Sequence, residues 1–324
     1  MPEQFPLFGS PEAPSKVSPG PASRSPPPLP PAVDPRQGSL FDGHLPGLHA
    51  LEAAFEQLDV AAARAEWERS ARRFPDWACS QTWPRWIEDL AWLIELERTR
   101  TAEDDARQVL ALQDTGSAGG WLAGMRPELR GRIVGAALAR IAAKLLDRHG
   151  SGARLQDGRP AGYLLLAAGR AGEAAEVLAS AVAVQPQHGM VRGYLGEALW
   201  RAGRRTEAVA VYRDAYLLSP GAVDEELSTC TPIHDLLDRA EMLDLRGRAG
   251  EWVAVLGDLE GVVPLLGATV DLPPGDSASQ AVARLLASYR RHQQAGAFPE
   301  TERLALKREM LQRAPQLREL IRRL

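Results

Sequence analysis

The 324-residue chain is poor in the groups from which most catalytic and metal sites are built. Its two cysteines, Cys79 and Cys230, stand far apart in unrelated contexts, which excludes a disulfide framework and a cysteine-knuckle metal site. The six histidines (His44, His49, His149, His188, His234, His292) are scattered, and no two have helical metal-ligand spacing. No apolar run approaches the roughly 18 residues that a membrane span needs. The first residues lack the basic start and apolar run of a secretory signal, so a cytoplasmic location is expected. No segment alternates valine, isoleucine and threonine in the manner of a strand. The glycine-rich GSAGGWLAG at 116–124 lacks the lysine-serine pair and preceding strand of a phosphate loop, and reads as an inter-helix connection. Glu103, Asp104 and Asp105 suit the first turn of a helix, where acids complement the dipole. No catalytic residue, cofactor or metal ligand emerges, and an enzyme is not expected.

What is present is ordinary soluble-protein material: 45% hydrophobic and 25% charged residues, with a net charge of −4. That charge argues against a whole-chain nucleic-acid or membrane binder. It is unevenly spread. Residues 284–324 carry +6, which leaves −10 for the remainder. The C-terminal segment reads as one helix from about Pro299 to Leu324. Leu304, Leu311, Leu317, Leu320, Ile321 and Leu324 fall along one side and arginines along the other. It is expected to cap the fold rather than contact nucleic acid.

Residues 1–46 hold 13 of the 25 prolines. Proline lacks an amide donor and turns the preceding residue away from helix, so this stretch is expected to be a disordered, extended spacer. Three of the six phenylalanines nevertheless lie here. They belong to two short peptides of one pattern, Gln4-Phe5-Pro6-Leu7-Phe8 and Gln37-Gly38-Ser39-Leu40-Phe41.

From residue 47 the texture becomes helical. Leu51, Ala54, Phe55 and Leu58, then Ala63, Trp67, Ala71 and Phe74, follow three-and-four spacing and predict an amphipathic hairpin. Five tryptophans (Trp67, Trp77, Trp83, Trp86, Trp92) crowd into 26 residues and are read as core. Further on, 162–186 superimposes on 196–220 without a gap, at a spacing of 34. Gly162 falls on Gly196, Gly169 on Gly203, Ala174 on Ala208, Ala181 on Ala215 and Pro186 on Pro220. Small residues let paired helices approach, glycine relaxes the turn, and proline ends the second helix.

This spacing and these residues resemble the tetratricopeptide repeat family, although Gly158 and Arg192 stand where its tryptophan is usual. The resemblance implies an all-α, right-handed solenoid of antiparallel helical hairpins. Four parts are expected: the tail 1–46, degenerate hairpins over 47–150, repeats over 151–267 and a helical cap over 277–324. A third copy is expected to be held in register by Gly247 and Pro264, with Trp252 replacing the usual alanine. Residues 48–75 and 279–315 suggest further copies. The family's concave groove would be lined here by Tyr163, Leu166, Glu197, Trp200, Arg201, Glu241 and Asp244. Members that clamp chaperone carboxylates need a fuller basic set than Arg159, Tyr163, Gly193 and Glu197 supply.

The two tail peptides resemble the QL(S/D)LF motif by which bacterial polymerases and repair proteins dock on the sliding clamp. Gln4, Leu7 and Phe8, and Gln37, Leu40 and Phe41, would be the contacting residues. Adjacent Leu and Phe suit an apolar pocket and the Gln amide its rim. Together these features imply a non-enzymatic interaction scaffold with a recruitment tail. The alternative is a helical subunit or enzyme component whose tail docks on its own domain.

Overall fold

A computed structural model describes residues 47–74, 82–99 and 125–324 apart from 246, 272–276 and 297, with single positions between 99 and 125. The tail with both QxxLF peptides, residues 103–105, and Trp77, Cys79 and Trp121 lie outside the described residues. Among the described residues every regular element is a helix, and one isolated bridge pairs Arg154 with Pro160. The helices are α1 (47–56), α2 (Val60–Arg73), α3 (Thr82–Thr99), α4 (Pro127–His149), α5 (Gly162–Ala167), α6 (Ala171–Val184) and α7 (Gly189–Arg201). They continue as α8 (Arg205–Leu218), α9 (Thr231–Met242), α10 (Val253–Leu259), α11 (Ala278–Gln294), α12 (Glu300–Arg313) and α13 (Arg318–Arg322).

The hairpins are made by repeated local chemistry. At the end of α5, Ala168, Gly169 and Arg170 donate their N–H groups to the carbonyls of Leu164, Leu166 and Leu165. Gly169 takes φ +75°, the left-handed turn that spends the last carbonyls of a helix. The same three bonds recur after α7 at Ala202, Gly203 and Arg204, where Gly203 has φ +81°. They recur again after α1 at Gln57, Leu58 and Asp59. Second helices also end alike. Phe74, Gln185, Ser219 and Ala314 have φ between −131° and −156° and ψ between 71° and 77°. Each precedes a proline in the sequence, which bars the helical conformation. Four hairpins thus share a terminator, and 47–74 carries both signatures of the repeat.

Close approach is fixed by glycine at one position of each central pair. A Cβ on Gly162 would lie 2.6 Å from Leu178 Cγ, and one on Gly196 would lie 2.7 Å from Tyr212 Cδ2. Leu178 and Tyr212 are themselves thirty-four residues apart, so one knob-and-notch contact is used twice. Ala63, Ala174 and Ala208 are fully buried where α2, α6 and α8 meet their partners.

The third hairpin corrects the expected register. The three-bond turn closes α9 at Leu243, Asp244 and Leu245, with Asp244 at φ +48°. Gly247 comes three residues later, in the connection to a 3₁₀ turn at Ala249–Trp252. α10 stops at Leu259 with Gly261 at φ +77°, before Pro264 is reached. The insertion ahead of α9 therefore adds seven residues rather than ten to the 34-residue spacing. Trp252 is 1% exposed and fills the core.

The C-terminal segment also departs from expectation. Pro315 breaks it, giving α12, a turn at Pro315–Leu317, and α13. Leu304 is 44% exposed, whereas Met310, Leu317, Leu320 and Ile321 are buried. Of the described tryptophans, Trp86 and Trp252 are core and Trp92 is exposed; Trp83 meets Phe55 and Trp86 edge to face. One buried cluster runs from Leu51 to Ala208 and a second from Val209 to Ile321, so the change falls inside α8. No helix of the described residues is long and apolar enough to cross a membrane.

Candidate functional site, a groove face covered by its own insertion

The helices α5, α7 and α9 carry the residues expected to line the groove. Two of these are not available to a ligand. Leu166 is 1% exposed and belongs to the core, and Glu197 is likewise 1% exposed. Glu197 is covered by the insertion between α8 and α9. After a turn at Pro220–Ala222 the chain folds back over α7. Val223 packs on the bare backbone of Gly193.

Glu197 is the hub of this contact. Its carboxylate accepts from Thr229 N (2.9 Å), Thr229 Oγ1 (2.7 Å), the Tyr212 hydroxyl (2.8 Å) and Arg201 Nε (2.5 Å). Burial pushes its pKa up, but the hydrogen bonds from Thr229, Tyr212 and Arg201 outweigh that and hold it below the usual glutamate value. Arg201 also donates to the Leu227 carbonyl at 3.0 Å. Asp224 accepts from the Tyr194 hydroxyl and from Leu227 N, each at 3.2 Å. Cys230 ends the loop fully buried, and burial raises its thiol to about 11.

On α5, Tyr163 stays half-exposed. The Arg159 guanidinium lies 4.2 Å from the centre of the Tyr163 ring, which tilts against Tyr194 at 5.3 Å. Asp157 pairs with Arg159 at 2.6 Å. Burial opposes both charges, yet the pair's hydrogen bonds lower Asp157 and raise Arg159. Burial first, then the Asp224 charge, raises the Tyr194 phenol. Trp200 is half-buried with Arg205 over its ring at 5.3 Å.

Glu241 and Asp244 are exposed on the third hairpin, but Asp244 occupies the helix-closing turn instead of the helix face. In the corrected register Glu241 is the counterpart of Trp200, and Met242 that of Arg201. Met242 is 71% exposed, and the sequence reading missed it because only the position of the turn reveals the register. Among the described residues no group of three His, Cys, Asp or Glu side chains sits as metal ligands would.

Residues 160–223, which contain α5 to α8, match the tetratricopeptide repeat family model. No curated protein and no solved structure matches the chain.

Proposed function

We propose that this protein is a non-enzymatic protein-interaction scaffold brought to its place of work by its N-terminal tail. The observation that carries the reading is the tetratricopeptide match over 160–223, a module type that serves protein contact rather than catalysis. Tyr163, Trp200, Arg201, Glu241 and Met242 are exposed or half-exposed on the first helices, and the partner is read there. Leu166 and Glu197 support that face from beneath.

The tail's own partner is a bacterial sliding clamp, reached through Gln4, Leu7 and Phe8 and through Gln37, Leu40 and Phe41. Burying one Leu or Phe side chain is worth roughly 1.5–3 kcal/mol, so each peptide alone binds near the micromolar range. The 28 residues between the peptides act as a tether, and joining them raises avidity without a new contact. The test titrates fluorescent peptides covering residues 1–12 and 34–45 against a purified clamp, each beside a version with Leu-Phe changed to Ala-Ala. Saturable binding lost in the changed peptides is expected, with 34–45 the stronger because Pro6 removes a backbone donor from the first. Indistinguishable curves refute the clamp as partner.

A further inference from the structure

Past the covering loop, two adjoining pockets share Pro220 in their walls. The inner one lies between α8, α10 and α11 and is lined by Tyr216, Glu251, Ser277, Ser279 and Gln280 over an apolar floor. The outer cleft is walled by Asp224, Glu225, Glu226 and Glu241, with Arg248 as its one cation among the described lining residues. Gly250 separates the two: a Cβ there would lie 3.0 Å from Tyr216 Cε1 and 3.2 Å from Glu225 Oε1.

Two independent features mark a ligand site here, and the second gives the ligand's charge. Tyr216 is 2% exposed, and its hydroxyl has no hydrogen-bond partner. Folded proteins rarely leave such a group unsatisfied, and a ligand that bonds to it removes the cost. The one charged side chain lining the inner pocket among the described residues is acidic: Glu251, which accepts from Ser279 Oγ at 3.2 Å. In the outer cleft Glu225, Glu226 and Glu241 form no ion pair with a described residue, whereas most acids of α6 to α8 are matched to arginines. Burial raises the Glu225 carboxyl; the nearby His234 opposes this and the charge of Glu241 adds to it more weakly.

We propose that the paired pocket docks a lysine- or arginine-containing segment of a protein partner. One cationic side chain enters between Tyr216 and Glu251, and the flanking chain runs along the acidic outer cleft. An ammonium suits the site because the Tyr216, Ser277 and Ser279 oxygens and the Glu251 carboxylate all accept. An anion is repelled by five carboxylates, and an apolar group leaves the hydroxyl unpaired. The inference rests on the scaffold reading and names its partner's chemistry at a surface separate from the tail.

The test is fluorescence anisotropy of the full-length protein with a labelled alternating lysine–glycine nonapeptide, beside its glutamate–glycine counterpart. Saturable binding of the lysine peptide alone is expected, weakening as salt rises. Glu251→Gln should weaken it about tenfold and Tyr216→Phe about threefold, while Glu176→Gln, an exposed acid on α6, leaves it unchanged. Tyr216→Phe keeps the ring, so its thermal unfolding should not fall, and a loss of binding there is a loss of the hydroxyl. Equal weakening by Glu176→Gln, or none by Glu251→Gln, overturns the site. Full-length protein that captures protein partners equally with and without Glu251→Gln also overturns it, and leaves the scaffold reading intact.

Discussion

The hairpins α5–α6 and α7–α8 share one backbone plan, yet they carry different loads. Where the first has Gly158, Ala179 and Ser180, the second has Arg192, Arg213 and Asp214 at the same spacing. Ser180 only returns a hydrogen bond to the Glu176 carbonyl on its own helix. Asp214, 2% exposed, receives Arg213 Nη2 at 2.7 Å, Arg192 Nη1 at 3.5 Å and Thr269 Oγ1 at 2.6 Å. Arg213 goes on to the carbonyls of Pro264 and Gly267, each at 2.6 Å. Tyr163 stays half-exposed on α5, while its counterpart Glu197 is sealed under the 223–230 loop. A repeat therefore fixes the path of the chain, and substitutions at its facing positions decide whether that path is a bare surface or an anchor for insertions.

The sharpest way to break this comparison is Asp214→Ala against Ser180→Ala. The first strands Arg192 and Arg213 without their counter-charge in the interior, which should cost about 3–5 kcal/mol. The second should change stability by no more than about 0.5 kcal/mol. Urea midpoints compare the two, and similar values would deny Asp214 its anchoring role. Next in size comes Gly196→Ala. Its Cβ meets a Tyr212 ring pinned through its hydroxyl to Glu197, for a loss of about 1–3 kcal/mol. Gly162→Ala should lose less, because the Leu178 side chain can turn aside.

A smaller effect separates the hairpins by pH. The Glu197 carboxyl lies below its ordinary value of 4.5 in the folded chain, so its contribution is complete above that value. It is lost as pH falls through the depressed value. Urea midpoints between neutrality and about pH 3 should show a steep acid limb that Glu197→Gln flattens. Smallest is Asp244→Gly. The left-handed conformation costs a non-glycine residue about 1–2 kcal/mol, partly offset by the freedom glycine gains when unfolded, so a net stabilisation below about 1 kcal/mol is expected. Gly203→Ala should move the melting temperature the other way.

The sequence revealed what is local or evenly spaced. Gly162, Gly196, Ala174 and Ala208 announced the helix pairs because close approach demands small residues at fixed intervals. Pro186 and Pro220 announced two helix ends, and Pro315 carried the same signal against a continuous C-terminal helix. The third register stayed hidden because its turn residue is an aspartate, while Gly247 and Pro264 offered a false match nearby. The fate of Glu197 was illegible for another reason: its partner Thr229 stands thirty-two residues away, across a loop whose path no periodicity encodes. Burial of Leu166 belongs to the same class, since it depends on which neighbours close over α5.

The covering loop also has a clock built into it. It ends at Cys230, whose thiol is enclosed and shifted to about 11, so the reactive thiolate is scarce and sheltered while the loop lies on α7. A thiol reagent can act at this position only during the intervals when residues 223–230 lift away. The rate of that modification, once Cys79 is replaced by serine, counts those intervals. It turns the hydrogen bonds of Thr229 and Arg201 from fixed distances into a lifetime, and so measures how long the face of α7 stays closed to another protein.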